Sequence, residues 1–410
     1  MRRTCRLRTF PAFQMAKLII LFITAFVDMV GFVIVLPLLP YYATEFGANA
    51  FLVGILISSF SVAQLAVAPL WGRASDRYGR RPMILAGLVL SVIAYVVFAF
   101  AGSLWLLLLS RVVQGMGGGT IGVVQAYVAD ATPPEQRTRS LGWLSAVTSL
   151  GAVVGPALGS ILDQAFGRHA PGLVAAALAA LIALFAWRFL RESKEMRPSG
   201  TFGQPATVTG RAALRRVVSH WGEPASRLIW IYAIAIGAFY GTGPTMPLLL
   251  SQRMGITEHT IGYFFMYFGA MGVIARAGLL GWIVGRLGEA RLSRLGIVLL
   301  AAGLTLLSLA HNYPVLILSM TLMPLGTAFL FPCVTGLLSQ VVPGSDRGLY
   351  MGVQQTFGGV SRVLFPVTAG LIMDQLGRGV PFAVAAALVL LTLPLTGAMG
   401  SYAPAAAHTS

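Results

Sequence analysis

Three charged residues of this 410-residue chain stand inside long apolar stretches, where an ion is costly to bury. A carboxyl group in such surroundings favours its neutral form, so it can take up and release a proton near neutral pH. Asp28 is therefore a candidate proton carrier, or else a structural hydrogen bond between helices. Arg111 must either face an interior acceptor or reach to the near interface. Arg362 either binds an anionic group of a substrate or pairs with Asp28.

The stretches that hold these charges are long enough to cross a membrane. The chain is 57% apolar and only 10% charged, whereas soluble domains are about 25% charged. Apolar runs near the length needed to cross ~30 Å of hydrocarbon recur from Ala16 to Met399. We therefore predict an all-α polytopic membrane protein with twelve transmembrane helices. The predicted spans cover residues 16–40, 51–71, 83–102, 104–129, 140–163, 171–190, 228–250, 260–282, 293–311, 313–338, 348–373 and 380–399.

The net charge of +16 would indicate nucleic-acid binding in a soluble protein. Here the basic residues gather at the loops of one side, and the loops of the other side hold only Arg168, Arg253 and Arg378. Such asymmetry marks the cytoplasmic side, so both termini are predicted to be cytoplasmic and no nucleic-acid partner is expected. The two cysteines cannot form a disulfide framework.

The chain divides into two related halves. The stretch Asp163-Gln164 with the residues after it recurs as Asp374-Gln375, 211 positions later (374 − 163). The one long polar interval, rich in Gly, Pro and Arg, separates the copies as a linker should. We predict two pseudo-symmetric six-helix bundles, an arrangement in which transporters bind substrate between the halves. The predicted parts are a bundle over 1–190, a cytoplasmic linker over 191–227, a bundle over 228–400 and a cytoplasmic tail over 401–410.

Four motifs carry a resemblance to a known family. They are Gly72 to Arg81 (motif A), Arg111 to Gly119 (motif B), Gly151 to Gly159 (motif C), and Asp28 to Pro37. Together they resemble the major facilitator superfamily, and more narrowly its twelve-span drug:proton antiporters, most like tetracycline efflux antiporters. Those antiporters carry further acids in spans three and nine, which this sequence lacks over 84–101 and 295–310. This departure from the family's pattern bears on tetracycline as the substrate and not on the antiport architecture, so multidrug or tetracycline-type efflux is the expectation.

The resemblance implies a conformational gate in motif A. Asp76 can pair with a neighbouring arginine or face a helix N-terminus, where a carboxylate is favoured. In the family this contact holds the two halves in the outward-open state. The alternative is a solvated basic turn that only sets topology. The implied gate residues are Gly72, Asp76, Arg77, Gly79, Arg80 and, as a partner of Arg77, Asp130.

Motifs B and C have their own implied roles. By resemblance, Arg111 serves proton coupling by tuning a carboxylate, with Gln114 and Gly115 beside it in the motif. Motif C is the antiporter signature of the family. Its glycines lie four residues apart on one helix face, and such small residues let helices approach closely; generic packing is the alternative. The motif C residues are Gly151, Gly155, Pro156 and Gly159.

Aromatic and amide side chains in the cavity-prone spans suit an amphipathic organic compound. The candidates for substrate contact are Gln64, Gln125, Phe239, Tyr240, Tyr267, Gln354, Gln355 and Arg362.

These observations predict a proton-coupled antiporter that exports small amphipathic compounds, driven by the proton gradient without a cofactor or metal. A symporter or facilitator that imports a metabolite is the alternative. No nucleotide loop, metal cluster or nucleophile-and-base arrangement indicates an enzyme. We expect a monomer in the lipid bilayer of a bacterial inner membrane, with protons and a small molecule as its partners.

Overall fold

The computed structural model describes residues 12–118, 121–130, 132, 134–190, 209–343 and 346–397. These residues form sixteen α-helices and no strand. The helices are α1 Ala12–Val35, α2 Leu39–Glu45, α3 Ala50–Tyr78, α4 Arg80–Ala99, α5 Leu104–Gly118, α6 Ile121–Asp130, α7 Pro134–Phe166, α8 His169–Phe189, α9 Gly210–Ser219, α10 Pro224–Thr242, α11 Met246–Met254, α12 Glu258–Ile274, α13 Leu280–Ser308, α14 Tyr313–Val341, α15 Arg347–Leu376 and α16 Val380–Leu390. A π-helical turn, Ala275–Leu279, joins α12 to α13.

Most of these helices are long and apolar enough to span a membrane. Within the described residues, nine such helical segments occur, and the pair α10 and α11 passes the same test together. One of the nine, Glu258–Ser308, has 51 residues, which is about twice the length of a single span. Val380–Thr396 forms a further, shorter apolar helix. The all-α membrane fold is confirmed, and twelve spans are consistent with it.

Two of the predicted spans, 16–40 and 228–250, are not single helices as expected. α1 ends at Val35 before α2 begins, and α10 meets α11 at a bend of 43°. Pro37 and Pro244 lie in these two breaks. A proline ring removes a backbone hydrogen bond and clashes with the preceding turn, so it ends the helix there.

The motif A segment is also more helical than its polar sequence suggests. α3 continues to Tyr78 and α4 begins at Arg80, so Gly79 alone connects them. Its φ of +110° lies in a region that side chains rarely adopt. Gly72 instead lies inside α3 with open space where a Cβ would stand. The predicted spans end at residue 71 and resume at 83, but the helices continue through motif A, and the tight turn needs only Gly79.

The internal repeat is visible in the backbone. Among the described residues, every positive φ belongs to a glycine, and these glycines fall into three pairs about 210 positions apart. The pairs are Gly47 with Gly255, Gly79 with Gly288, and Gly167 with Gly377. Equivalent turns therefore recur in both halves, as the sequence repeat predicts.

Part of the predicted linker is ordered. α9 begins after Thr209, whose side chain accepts a hydrogen bond from the Ala212 N–H group at 3.4 Å. Ala213 and Val217, four residues apart on one face, are fully buried. The predicted linker therefore contains a helix in this stretch. Residues 191–208 and the tail 401–410 lie outside the described residues, and the domain limits remain a prediction.

The two halves meet along two helix pairs, α3 with α15 and α7 with α12, which we call the seam. Backbones touch there: a Cβ on Gly54 would lie 2.3 Å from the Pro366 carbonyl oxygen, and one on Gly262 would lie 2.2 Å from that of Pro156. Ser58 Oγ also donates to the Val363 carbonyl at 2.6 Å. On α3, these seam contacts lie near the start of the helix, whereas motif A lies at its end.

Polar contacts bind the end of the bundle opposite motif A, which we call the far end. Asp374, near the end of α15, contacts the start of α3. Its carboxylate accepts hydrogen bonds from the Ala50 and Phe51 N–H groups at 3.1 and 2.9 Å. Its repeat equivalent, Asp163, lies at the start of α12, with Oδ2 3.1 Å from His259 Nδ1. Both aspartates therefore join the two halves at the far end, Asp374 through backbone N–H groups and Asp163 through a side chain.

Candidate functional site

Two adjoining cavities lie between the halves. The wide cavity has a volume of about 910 Å³ and is lined by residues of both halves that extend toward the motif A end, including Ile84, Leu141 and Arg276. The inner pocket of about 380 Å³ lies beside it and is lined by Phe32, Phe60 and other side chains. Since the far end is closed, the wide cavity reaches toward the side that the charge asymmetry predicts as cytoplasmic.

Asp28 lines both cavities. It is partly buried on α1, and no salt bridge or hydrogen bond joins its carboxylate to another described residue. Tyr95 of α4 is 2% exposed and interacts electrostatically with Asp28 and Arg111. A Cβ on Gly31 would lie 3.3 Å from the Tyr95 hydroxyl, which places that hydroxyl against α1, one turn beyond Asp28. A carboxyl group that faces a cavity can exchange a proton with water or with a ligand in that cavity.

Arg111 is buried at the inner pocket and does not extend to an interface. It is 1% exposed, donates a hydrogen bond to Gln114 Oε1, and lies over the Phe60 ring at 5.2 Å. Its Nε and the Gln114 Nε2 have no hydrogen-bond partner within the described part of the chain. Gly115 lets α5 pack closely on α3, because a Cβ there would lie 2.3 Å from the Phe60 carbonyl oxygen. The reading in which Arg111 snorkels is therefore excluded.

Arg362 lines the inner pocket together with Asp28. Its guanidinium carbon lies 5.7 Å from the centre of the Tyr240 ring. No salt bridge of the described residues includes Arg362, so it does not pair with Asp28. Of the two readings that the sequence left open, the structure does not support the ion pair.

In motif A, Asp76 at the end of α3 pairs with Arg80 at the start of α4, at 2.9 Å. The Asp76 side chain is 59% exposed, and Arg80 also donates to the Ser75 hydroxyl. The Arg77 guanidinium carbon lies 5.4 Å from the centre of the Tyr78 ring. The side chain of Asp130, its predicted partner, lies outside the part that the structure describes. The gate role remains a prediction.

Motif C packs directly on α1. A Cβ on Gly151 would lie 2.9 Å from the Phe26 carbonyl oxygen, and one on Gly159 would lie 2.3 Å from that of Ile34. At Gly155 the obstacle would be Val33 Cγ2, at 2.4 Å. Through this contact motif C positions the helix that carries Asp28.

The substrate candidates separate into two groups. Five line the cavities: Gln64, Gln125, Phe239, Tyr240 and Arg362. The other three line neither cavity. Tyr267 shares a hydrogen bond with Thr321 at 2.7 Å, Gln354 is fully buried, and Gln355 donates to the Tyr232 hydroxyl at 3.3 Å.

Sequence reasoning missed several residues of the site. Tyr95 was overlooked, although a tyrosine in the middle of an apolar span is itself a signal. Phe265 and Phe268, which line both cavities, could not be told from lipid-facing aromatics. Asp163, Glu258 and His259 have ligand atoms within 4.8 Å of one another and could hold a metal ion. That no metal is needed stays an expectation.

Comparison with known proteins gives a consistent result. The model of the family described as Major Facilitator Superfamily matches residues 21–292 and 232–404. The chain is 27% identical to multidrug resistance protein 1 of Bacillus subtilis (strain 168) over 381 residues, 92% of this chain and 95% of that protein. It is 29% identical to the class C tetracycline resistance protein of Escherichia coli over 397 residues, again 92% and 95%.

Solved structures show the same fold. The crystal structure of the human organic anion transporter TETRAN aligns with a TM-score of 0.67 at 24% identity, covering 94% of this chain and 100% of that one. The nucleoside transporter NupG aligns with a TM-score of 0.74 at 14% identity, covering 94% and 99%.

Proposed function

Because the chain belongs to the Major Facilitator Superfamily, we propose that it is a proton-coupled antiporter exporting small amphipathic organic compounds by alternating access. Such a protein is an integral membrane transporter and not an enzyme. Its relatives include proteins named for multidrug and tetracycline resistance, which supports drug efflux as the direction of transport.

The position of Asp28 between the halves is the main support for this proposal. Its carboxylate lines both cavities and lacks an ion-pair partner among the described residues. A carboxylate in that position can bind either a proton or a substrate group, and this competition is what couples their opposite movements. In this cycle a proton enters from the outside to Asp28 and displaces the substrate. Its release inward then prepares the site for another substrate molecule.

The apolar walls of the cavities support an amphipathic substrate. Phe239, Phe265 and Phe268 line both cavities, while Gln64 and Gln125 each line one of them. Ligand pockets of this kind combine aromatic surface with a few polar groups that fix orientation.

The proposal is tested in proteoliposomes with an imposed pH difference and an internal pH dye. Adding a transported compound on one side should move protons in the opposite direction. Proton movement in the same direction as the compound would indicate a symporter, and flux independent of the pH difference would indicate a facilitator. A susceptibility screen in a pump-deficient bacterial host first identifies compounds to test.

A further inference from the structure

We propose that the substrate is amphoteric: an aromatic compound whose cationic group faces Asp28 and whose anionic group faces Arg362. This inference rests on the proposed function and specifies its substrate class.

Arg362 is a guanidinium in the middle of a span. It lies 15 residues after Arg347 on the 30-residue helix α15, about 22 Å along the axis at 1.5 Å per residue. A charge at such depth is found paired or facing a site where a partner binds. Its side chain is partly buried and lines the inner pocket, and the described residues place no carboxylate in salt-bridge contact with it. An anionic group of a ligand would supply that partner.

Asp28 presents the complementary case in the same pocket. Among the described residues that line the two cavities, it is the only carboxylate. Although Arg362 lines the inner pocket with it, the two do not form an ion pair. Opposite charges that share a pocket and remain apart leave room for a ligand that carries both signs.

The balance of charge selects among ligand classes. Three arginines line the cavities against one acid: Arg111, Arg276 and Arg362 against Asp28. A purely cationic ligand would meet a net positive field, because opposite charges attract and like charges repel in proportion to their number. A purely anionic ligand would leave Asp28 without a partner and would not compete with a proton there. An amphoteric ligand satisfies both residues, and its cationic group still competes with the proton.

The pocket walls define the rest of the ligand. Aromatic rings of Phe32, Phe60, Phe265 and Phe268 surround a volume of about 380 Å³. That volume suits a compact aromatic ring system, which would pack against these rings.

The test uses three matched probes on one aromatic scaffold, in proteoliposomes with an imposed pH difference. Norfloxacin carries both an amine and a carboxylate, its ethyl ester only the amine, and its N-acetyl derivative only the carboxylate. We expect the wild-type protein to transport norfloxacin at least about tenfold faster than either derivative, because each derivative loses one charge-assisted contact.

The variant Arg362→Gln should lower norfloxacin transport about tenfold and leave ester transport unchanged. Arg362→Lys keeps the charge and should retain part of the norfloxacin rate, which separates loss of charge from a folding defect. The matched control is Arg347→Gln, on the exposed first turn of the same helix and outside both cavities. It should transport norfloxacin like the wild type.

Equal transport of norfloxacin and its ester by the wild type would overturn the inference. Unchanged norfloxacin transport by Arg362→Gln would overturn it as well. In both cases proton-coupled export of the ester would leave the proposed function standing. Norfloxacin transport that depends on Arg362 but not on the pH difference would instead support the substrate class and contradict the proton coupling.

Discussion

Asp374, at the end of one half, accepts a 3.1 Å hydrogen bond from the backbone N–H group of Ala50, at the start of a helix in the other half. The second carboxylate oxygen accepts from the next N–H group, that of Phe51, at 2.9 Å. The first turn of a helix presents unpaired N–H groups and a partial positive charge. The carboxylate therefore stabilises the far end only while the two halves are closed there.

We expect Asp374→Asn to open the far end. Losing a charged cap costs about 1 kcal/mol, which is about a fivefold shift toward the open state. Distances between spin labels at Thr44 and His311, two exposed positions of this end in different halves, would measure the shift. Glu45→Gln is the matched control, because Glu45 pairs with Arg168 inside the first half. Equal shifts in both variants would contradict the capping role.

We expect Asp28→Asn to abolish proton-coupled export without loss of expression. The amide has nearly the same shape as the carboxyl group but does not titrate at physiological pH. Proton movement with an internal pH dye, together with size-exclusion chromatography, would measure coupling and folding. Asp28→Glu keeps a titratable group and should retain coupling at a lower rate. Normal coupled flux in Asp28→Asn would rule out Asp28 as the proton site.

We expect Asp76→Asn to slow the transport cycle while substrate affinity stays within about twofold. In this conformation the exposed Asp76 carboxylate pairs with Arg80, and a pair with one solvated partner contributes at most about 1 kcal/mol. A latch on a helix N-terminus in the other state would contribute up to about 2 kcal/mol, so turnover should fall by at most about thirtyfold. Initial rates over a range of substrate concentrations separate turnover from affinity. Arg73→Gln, on the same helix, is the control. A large loss of substrate affinity in Asp76→Asn would contradict the role of Asp76 as a conformational gate.

We expect Gly159→Ala to destabilise the protein. The added Cβ would lie 2.3 Å from the Ile34 carbonyl oxygen, and forcing helices apart costs about 1–3 kcal/mol. Gly142→Ala on the same helix is the control, because nothing lies within 4 Å of its Cβ position. Thermal unfolding in detergent should show a midpoint several degrees lower for Gly159→Ala alone. Equal midpoints would show that α1 and α7 can separate at no cost.

The sequence identifies the charged residues of this site, but it does not show which neutral side chains face the cavities. Asp28, Arg111 and Arg362 were identified because a charge in an apolar span has few explanations, and all three line the inner pocket. Tyr267 and Gln355 looked equally suitable as substrate contacts, yet their polar atoms bind Thr321 and Tyr232. Rotation of a helix about its axis determines which side chains face a cavity, and no local pattern specifies that rotation.

The motif A glycines show the same limit at the level of the backbone. Gly72 and Gly79 are identical letters of one motif, but only Gly79 has a positive φ. The fold itself was more predictable, because apolar length determines membrane spans directly. Its breaks at Pro37 and Pro244 were not predicted, although proline ends helices for local steric reasons.

The seam has a consequence for the speed of transport. At Gly54 and Gly370, the helices of the two halves meet through backbone atoms. At these two positions the helices can part without a rotamer change of an interlocked side chain. Discrete polar contacts also join the halves, among them the Asp374 cap and the bond from Ser58 to Val363. Single substitutions at those contacts would change the rate at which the transporter switches conformation without changing its substrate specificity.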